Sequence, residues 1–234
     1  MQQYSESELF LRQNKFYSPE KMNQQVTIIG CGSLGGFIAL ALCKMGLQNF
    51  ILYDHDSVEP HNISNQPFSF SQIGLKKSSA LNNIITSSSP KETNVLERGK
   101  WQGNAISRGI VINSPDSITV RREVFNETPP GSFIIDVRSG PESYDVFFCD
   151  TAHPKMTAFY AGTFFDPPNS VSDGCGAQSV IWCGMQIAAL AANGWMRHCN
   201  KKPVPVHISG SLESLHMEQL YPNGQVNWVP EETD

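Results

Sequence analysis

A glycine-rich turn, Gly30-Cys31-Gly32-Ser33-Leu34-Gly35, and an acidic, amide-rich run from Asp54 to Gln66 hold the residues best suited to chemistry. Glycines at 30, 32 and 35 let backbone N–H groups approach phosphate oxygens at the positive end of a following helix, and Gly36 permits close packing behind them. Asp54 stands 19 positions past Gly35, where an acid at the end of the next strand accepts hydrogen bonds from a ribose. A dehydrogenase would share that acid, so Asp54 alone fits nicotinamide and adenine nucleotides equally. Asp56, Glu59, Asn62 and Gln66, followed by Lys77, go beyond what hydride transfer needs. They put a second carboxylate and several amides where a nucleotide's ribose and phosphates would lie.

These residues need a strand before each motif and a helix after the first. Gln25–Ile29 is β-branched and reads as a buried strand; Leu34–Met45 is an apolar helix that Gly46 caps; Asn49–Tyr53 is the second strand. Strands joined this way are parallel, with a right-handed crossover. Residues 5–17 read as a short helix and Ser71–Ser87 as another, opening near Gly74. Residues 88–117 read as loops around a short strand at Ile110–Ile112. Ser117–Val120, Ser132–Asp136 and Asp145–Cys149 read as strands, and residues 150–175 as a long surface loop. Gln178–His198 is a second strong helix, with terminal strands at His207–Ser209 and Leu215–Leu220. The expected class is α/β: a Rossmann-like, mostly parallel sheet with flanking helices and an antiparallel C-terminal extension. A single unit over residues 1–234 is expected, with 1–24 as a helical arm.

Composition narrows the function. With 234 residues, 40% hydrophobic and 17% charged, the chain has material for a real core. A net charge of -5 argues against nucleic-acid binding through a broad basic face. None of the six cysteines forms a Cys-x-x-Cys pair, so no structural zinc is expected; Cys43, Cys183 and Cys199 read as buried hydrophobes. The longest apolar stretch, Val180–Ala192, is shorter than the roughly 20 residues that cross a bilayer. The N-terminus lacks a secretory pattern, and a cytoplasmic protein with reduced thiols is expected.

The glycine turn, the run Asp54-x-Asp56-x-Val58-Glu59-x-x-Asn62-Ile63-x-Asn65-Gln66 and Gly74-x-Lys76-Lys77 resemble the ThiF/MoeB/HesA group, which shares its adenylation domain with ubiquitin-activating enzymes. The match covers residues 26–85 well. Glu8–Gln13 and Gln178–Asn193 fit more loosely. The resemblance implies ATP and magnesium binding and adenylation of a carboxylate on a small β-grasp, ubiquitin-like protein. It gives Asp54 the ribose, Asn62 and Lys77 the phosphates, and Arg12 a role across a homodimer interface; a solvated helix end is the other reading of Arg12. Asn65 replaces the family's arginine. Asp136 matches the first of two acids and Ser139 stands at the second, the metal ligand, so Asp136 takes the metal or the site is weakened. Arg138 adds a charge that could replace the lost arginine. This combination resembles a compact subgroup found among phages and mobile elements. Cys175, ahead of the late helix, is either a thioester nucleophile or an incidental thiol. His55 and His61 read as surface histidines, and Phe147, Phe148, Phe159, Tyr160, Phe164 and Phe165 as core. Three functions stay in view: an adenylyltransferase, a binding protein that has lost turnover, and, more remotely, an NAD-dependent oxidoreductase.

Overall fold

The computed structural model describes residues 4–19, 23–140, 143–164 and 180–228. Among them the strands β1 Gln25–Ile29, β2 Asn49–Tyr53, β3 Asn94–Arg98, β4 Ile110–Asn113, β5 Phe133–Ser139, β6 Ser143–Asp150, β7 His207–Ser211, β8 Met217–Leu220 and β9 Val226–Trp228 form one sheet in the order β3-β2-β1-β4-β5-β6-β7-β8-β9. The first five strands in that order are parallel, and β6 to β9 extend the sheet antiparallel. The expected class is what the chain adopts.

Burial explains the strands. β4 is buried along its whole length and β1 nearly so, because parallel strands are covered on both faces. The helices are α1 Glu6–Leu9, α2 Ser33–Lys44, α3 Lys77–Ser88, α4 Ile118–Glu127, α5 Pro154–Ala161 and α6 Ile181–Cys199. α2 packs against α3 and α6. Gly184 makes the second contact possible: a Cβ there would lie 2.8 Å from both the Phe37 ring and Ser33 Oγ. No helix among the described residues is long and apolar enough to cross a membrane.

Three expected elements are corrected. Ser117–Val120 is not a strand: Ser117 caps α4, its hydroxyl accepting from Val120 N at 3.4 Å, and the chain turns into a helix that buries Arg121 and Val124. The long loop at 150–175 contains α5, which His153 caps and Pro154 opens. The N-terminal helix stops at Leu9, and the chain then turns so that Phe10 is buried against Gly46. β3 was missed because it is an exposed edge strand without an apolar run.

Candidate functional site

Strand order reverses between β1 and β4, and the crevice at such a switch point, beyond the strands' carboxyl ends, is where open α/β sheets bind ligands. The glycine turn lies there. Gly30 has φ +92°, and a Cβ on Gly35 would stand 2.0 Å from Gly30 O, so only glycine allows this turn. Ser114, just past β4, ties the two loops together: its N–H donates to Ile29 O at 3.0 Å, and its hydroxyl, 2.9 Å from both Ile29 O and Gly30 O, shares its one proton between them. The sequence reading passed over Ser114, for which a lone serine in a polar stretch gave no signal. α2 starts at Ser33 without a side-chain cap, so its first-turn N–H groups face the crevice end of the helix dipole.

Asp54 links the two motifs. Its Oδ2 accepts Cys31 N from the turn at 2.7 Å, and its Oδ1 accepts Asp56 N at 2.8 Å. The run then pairs back on the segment before α3, with Val58 N donating to Leu75 O at 2.8 Å and Lys77 N to Asp56 O at 2.9 Å. That pairing brings the buried Lys77 ammonium to 3.0 Å from Asp56 Oδ2. Burial raises the Asp56 carboxyl, but the Lys77 bond and charge, with His55 and Lys76, outweigh it and hold Asp56 below its ordinary value.

The amides occupy distinct places. Buried Asn62 accepts Glu59 N at 2.9 Å and shapes the 3-10 turn Pro60–Asn62. The Asn65 carbonyl accepts the Ser33 hydroxyl at 2.7 Å, so Asn65 adjoins the start of α2. Gln66 Oε1 is buried without a hydrogen-bond partner among the described residues, 3.7 Å from where a Cβ on Gly32 would stand. An orphaned buried acceptor costs about 1–3 kcal/mol, a cost that functional sites tolerate when a ligand supplies the partner. His55 and His61 are exposed, 3.5 Å from Asp56 and 3.4 Å from Glu59.

Asp136 and Arg138 are placed differently from expectation. Asp136 is fully buried at the end of β5. Arg121 Nη1 donates to its Oδ1 at 2.5 Å, Arg138 Nε to Oδ1 at 3.1 Å and Nη2 to Oδ2 at 3.3 Å, and the Tyr160 hydroxyl to Oδ2 at 2.7 Å. Asn113 Nδ2 lies 3.4 Å from the same Oδ2. Two guanidinium groups thus take both oxygens, and a magnesium ion would find neither a free lone pair nor a negative potential. Asp54, His55 and Asp56 can bring ligand atoms within 4.8 Å of one another, but Lys77 already neutralises Asp56. Neither set fits a magnesium ion held by the protein. Arg138 also donates to Thr163 O at 3.2 Å and Oγ1 at 3.1 Å, and its guanidinium lies 4.5 Å above the Phe147 ring. It is committed to the β5–α5 junction rather than extended toward the crevice. Arg121, which the sequence reading did not single out, and Tyr160, expected only as a core aromatic, complete this network. Burial, followed by the Asp136 charge, pushes the Tyr160 hydroxyl well above its ordinary value.

Arg12 is exposed on the turn after α1. Cys175 and Phe165 lie outside the described residues. Cys43, Cys183, Phe147, Phe148, Tyr160 and Phe164 are buried as expected, while Cys199 and Phe159 are partly exposed.

The ThiF family model matches residues 19–199. Cap2, an ATP-dependent ubiquitin transferase-like protein of Vibrio cholerae serotype O1, is 39% identical over 66 residues, which are 26% of this chain and 11% of that protein. The chain therefore matches only a small part of that relative's length. Among solved structures, Escherichia coli MccB with AMPCPP and MccA superposes with a TM-score of 0.68 at 16% identity, covering 93% of this chain and 72% of that one. MccB with ATP gives 0.67 at 18% identity, covering 92% and 70%. PaaA gives 0.68 at 16% identity, covering 98% and 85%. At these identities the likeness speaks for the fold.

Proposed function

The chain belongs to the ThiF family, and from that premise we propose that it binds ATP in the β1–β4 crevice and adenylates a carboxylate of a protein or peptide. The observation that carries this reading is the Asp54 carboxylate joining the glycine turn to the acidic run, with the Lys77 ammonium fixed beside it on Asp56. A dinucleotide site needs the first half of that arrangement and has no use for the second. In the proposed reaction a substrate carboxylate oxygen attacks the α-phosphorus, the bond from that phosphorus to the bridging oxygen breaks, and pyrophosphate leaves with the electron pair. The uncapped first turn of α2 holds phosphate oxygens, Asp54 accepts from ribose hydroxyls, and Lys77 offsets charge on the leaving pyrophosphate. Gln66, turned by an amide flip, presents its NH2 to the same oxygens. MccB, which shares the fold, has been solved with ATP and with AMPCPP and MccA, which supports an adenine nucleotide and a peptide substrate here.

The finer reading is a small β-grasp partner with a C-terminal carboxylate, and a homodimer in which exposed Arg12 reaches the second crevice. A second reading, nucleotide binding without turnover, gains from Arg138: the candidate substitute for the arginine replaced by Asn65 is bound to Asp136 and Thr163. ATP–pyrophosphate exchange with a candidate acceptor separates the two. Exchange that falls about 10²–10³-fold in Lys77→Ala supports the enzyme, by analogy with the loss of one transition-state donor. ATP binding by calorimetry with no exchange for any acceptor supports the binding protein, and NADH binding that ATP does not displace refutes both.

A further inference from the structure

A cavity of about 690 Å³ opens at the end of the sheet away from the crevice, between the last turn of α6, the start of α5 and the turn joining β8 to β9. β5 runs seven residues from Phe133, at this cavity, to Ser139, at the crevice side. At about 3.3 Å per residue the two sites are roughly 20 Å apart. The volume falls within the about 300–1,000 Å³ typical of ligand sites.

Its lining has two parts. Phe133 and Met156, both buried, and Val204 form an apolar floor. Arg197, Lys201 and Lys202 form a cationic rim on a chain whose net charge is -5. Asp150 is the acid in the lining, already accepting Ala152 N at 2.9 Å and facing His198 at 3.8 Å. Arg197 Nε donates to Pro203 O at 2.6 Å, which fixes its guanidinium at the rim. Neither lysine ammonium has a hydrogen-bond or ion-pair partner among the described residues.

Lys201 also departs from local preference. Lys202 N donates to Arg197 O at 2.9 Å and Lys201 N to His198 O at 3.0 Å, the paired bonds of a Schellman cap. Lys201 occupies the left-handed position of that cap, at φ +54°, where glycine is the ordinary residue. Neutralising a helix C-terminus would not need a lysine at the strained position itself.

We propose that this cavity docks an acidic peptide segment of a partner protein, one apolar side chain resting on the floor while carboxylates face the rim. A free inorganic anion makes no use of the floor, and a net charge of -5 argues against nucleic acid, which needs a broad basic face. The proposal does not depend on ATP turnover in the crevice.

The test uses the full chain and a fluorescein-labelled peptide, Asp-Glu-Phe-Glu-Glu-Leu, amidated so that it offers the crevice no terminal carboxylate. Anisotropy in low salt gives Kd. The double substitution Lys201→Gly with Lys202→Ser raises Kd about tenfold, and Val204→Glu does the same from the floor. Lys44→Ser, which removes an exposed charge elsewhere, leaves Kd unchanged. Lys201→Gly alone keeps or raises Tm, because glycine suits the cap, so the weakened binding is not unfolding. Unchanged Kd in the double variant overturns the proposal. So does an equal weakening in Lys44→Ser, or displacement of the labelled peptide by tripolyphosphate as effectively as by unlabelled peptide.

Discussion

Replacing Asp136 by Asn tests whether the acid at the end of β5 is a structural anchor. The carboxylate is fully buried, Arg121 is nearly so, and Arg138 is about a quarter exposed. In Asp136→Asn two guanidinium groups lose their counter-charge, and Arg121 has little water to turn to. Removing one partner of a buried pair costs about 3–5 kcal/mol, mostly because a charge is left uncompensated. For a chain of this length each kcal/mol moves Tm by about 2–4 °C, which gives a drop of roughly 6–20 °C. Arg121→Met belongs in the same range. Arg138→Met costs less, about 1–2 kcal/mol, since solvent reaches that side chain and Tyr160, Asn113 and Arg121 still satisfy the acid. Urea unfolding followed by tryptophan fluorescence reads these losses. The double variant Asp136→Asn with Arg121→Met falls short of the sum of the single losses, because the second substitution removes a charge the first had stranded. A loss below about 1 kcal/mol in Asp136→Asn, or stabilisation of wild type by magnesium that this variant abolishes, refutes the anchor and restores Asp136 as a metal ligand.

Gly35→Ala puts a Cβ within 2.0 Å of Gly30 O, so the turn must open; calorimetry is expected to show ATP affinity down at least tenfold, and wild-type affinity would remove the turn from the binding site. Burial holds the His198 imidazole below its ordinary 6.5, with Asp150 opposing. The folded state therefore takes up its proton later than the unfolded chain, and stability falls as pH drops through 6.5 toward the folded value. His198→Phe keeps the stack on Phe133 and flattens that part of the stability–pH curve; an unchanged slope would show that His198 is not its source.

The parts of this fold that the sequence made legible are those where one local preference acts alone. Val26, Ile28 and Ile29 of β1 and Ile110–Ile112 of β4 are apolar because both faces of a parallel strand are covered, and nothing competes with that signal. The glycine turn is equally plain, since Gly35 tolerates no Cβ. Ser117–Val120 misled because Ile118 and Val120 favour a strand locally, while the Ser117 cap and the burial of Arg121 against Asp136 decide for a helix. That second cause joins residues 15 positions apart and has no local signature. β3 was hidden for the opposite reason: an edge strand needs polar residues to resist pairing with other chains, and these read as loop. The same logic divides the candidate site. Asp54, Asp56 and Lys77 sit within one short span, and the backbone pairing of that span brings them together. Asp136 and Arg138 stand next to the same crevice in sequence pattern, yet their positions depend on Arg121 and Tyr160 from two helices distant in sequence. A motif match can place an acid at the end of a strand, but the partners that reach its oxygens decide whether it binds a cation or an arginine.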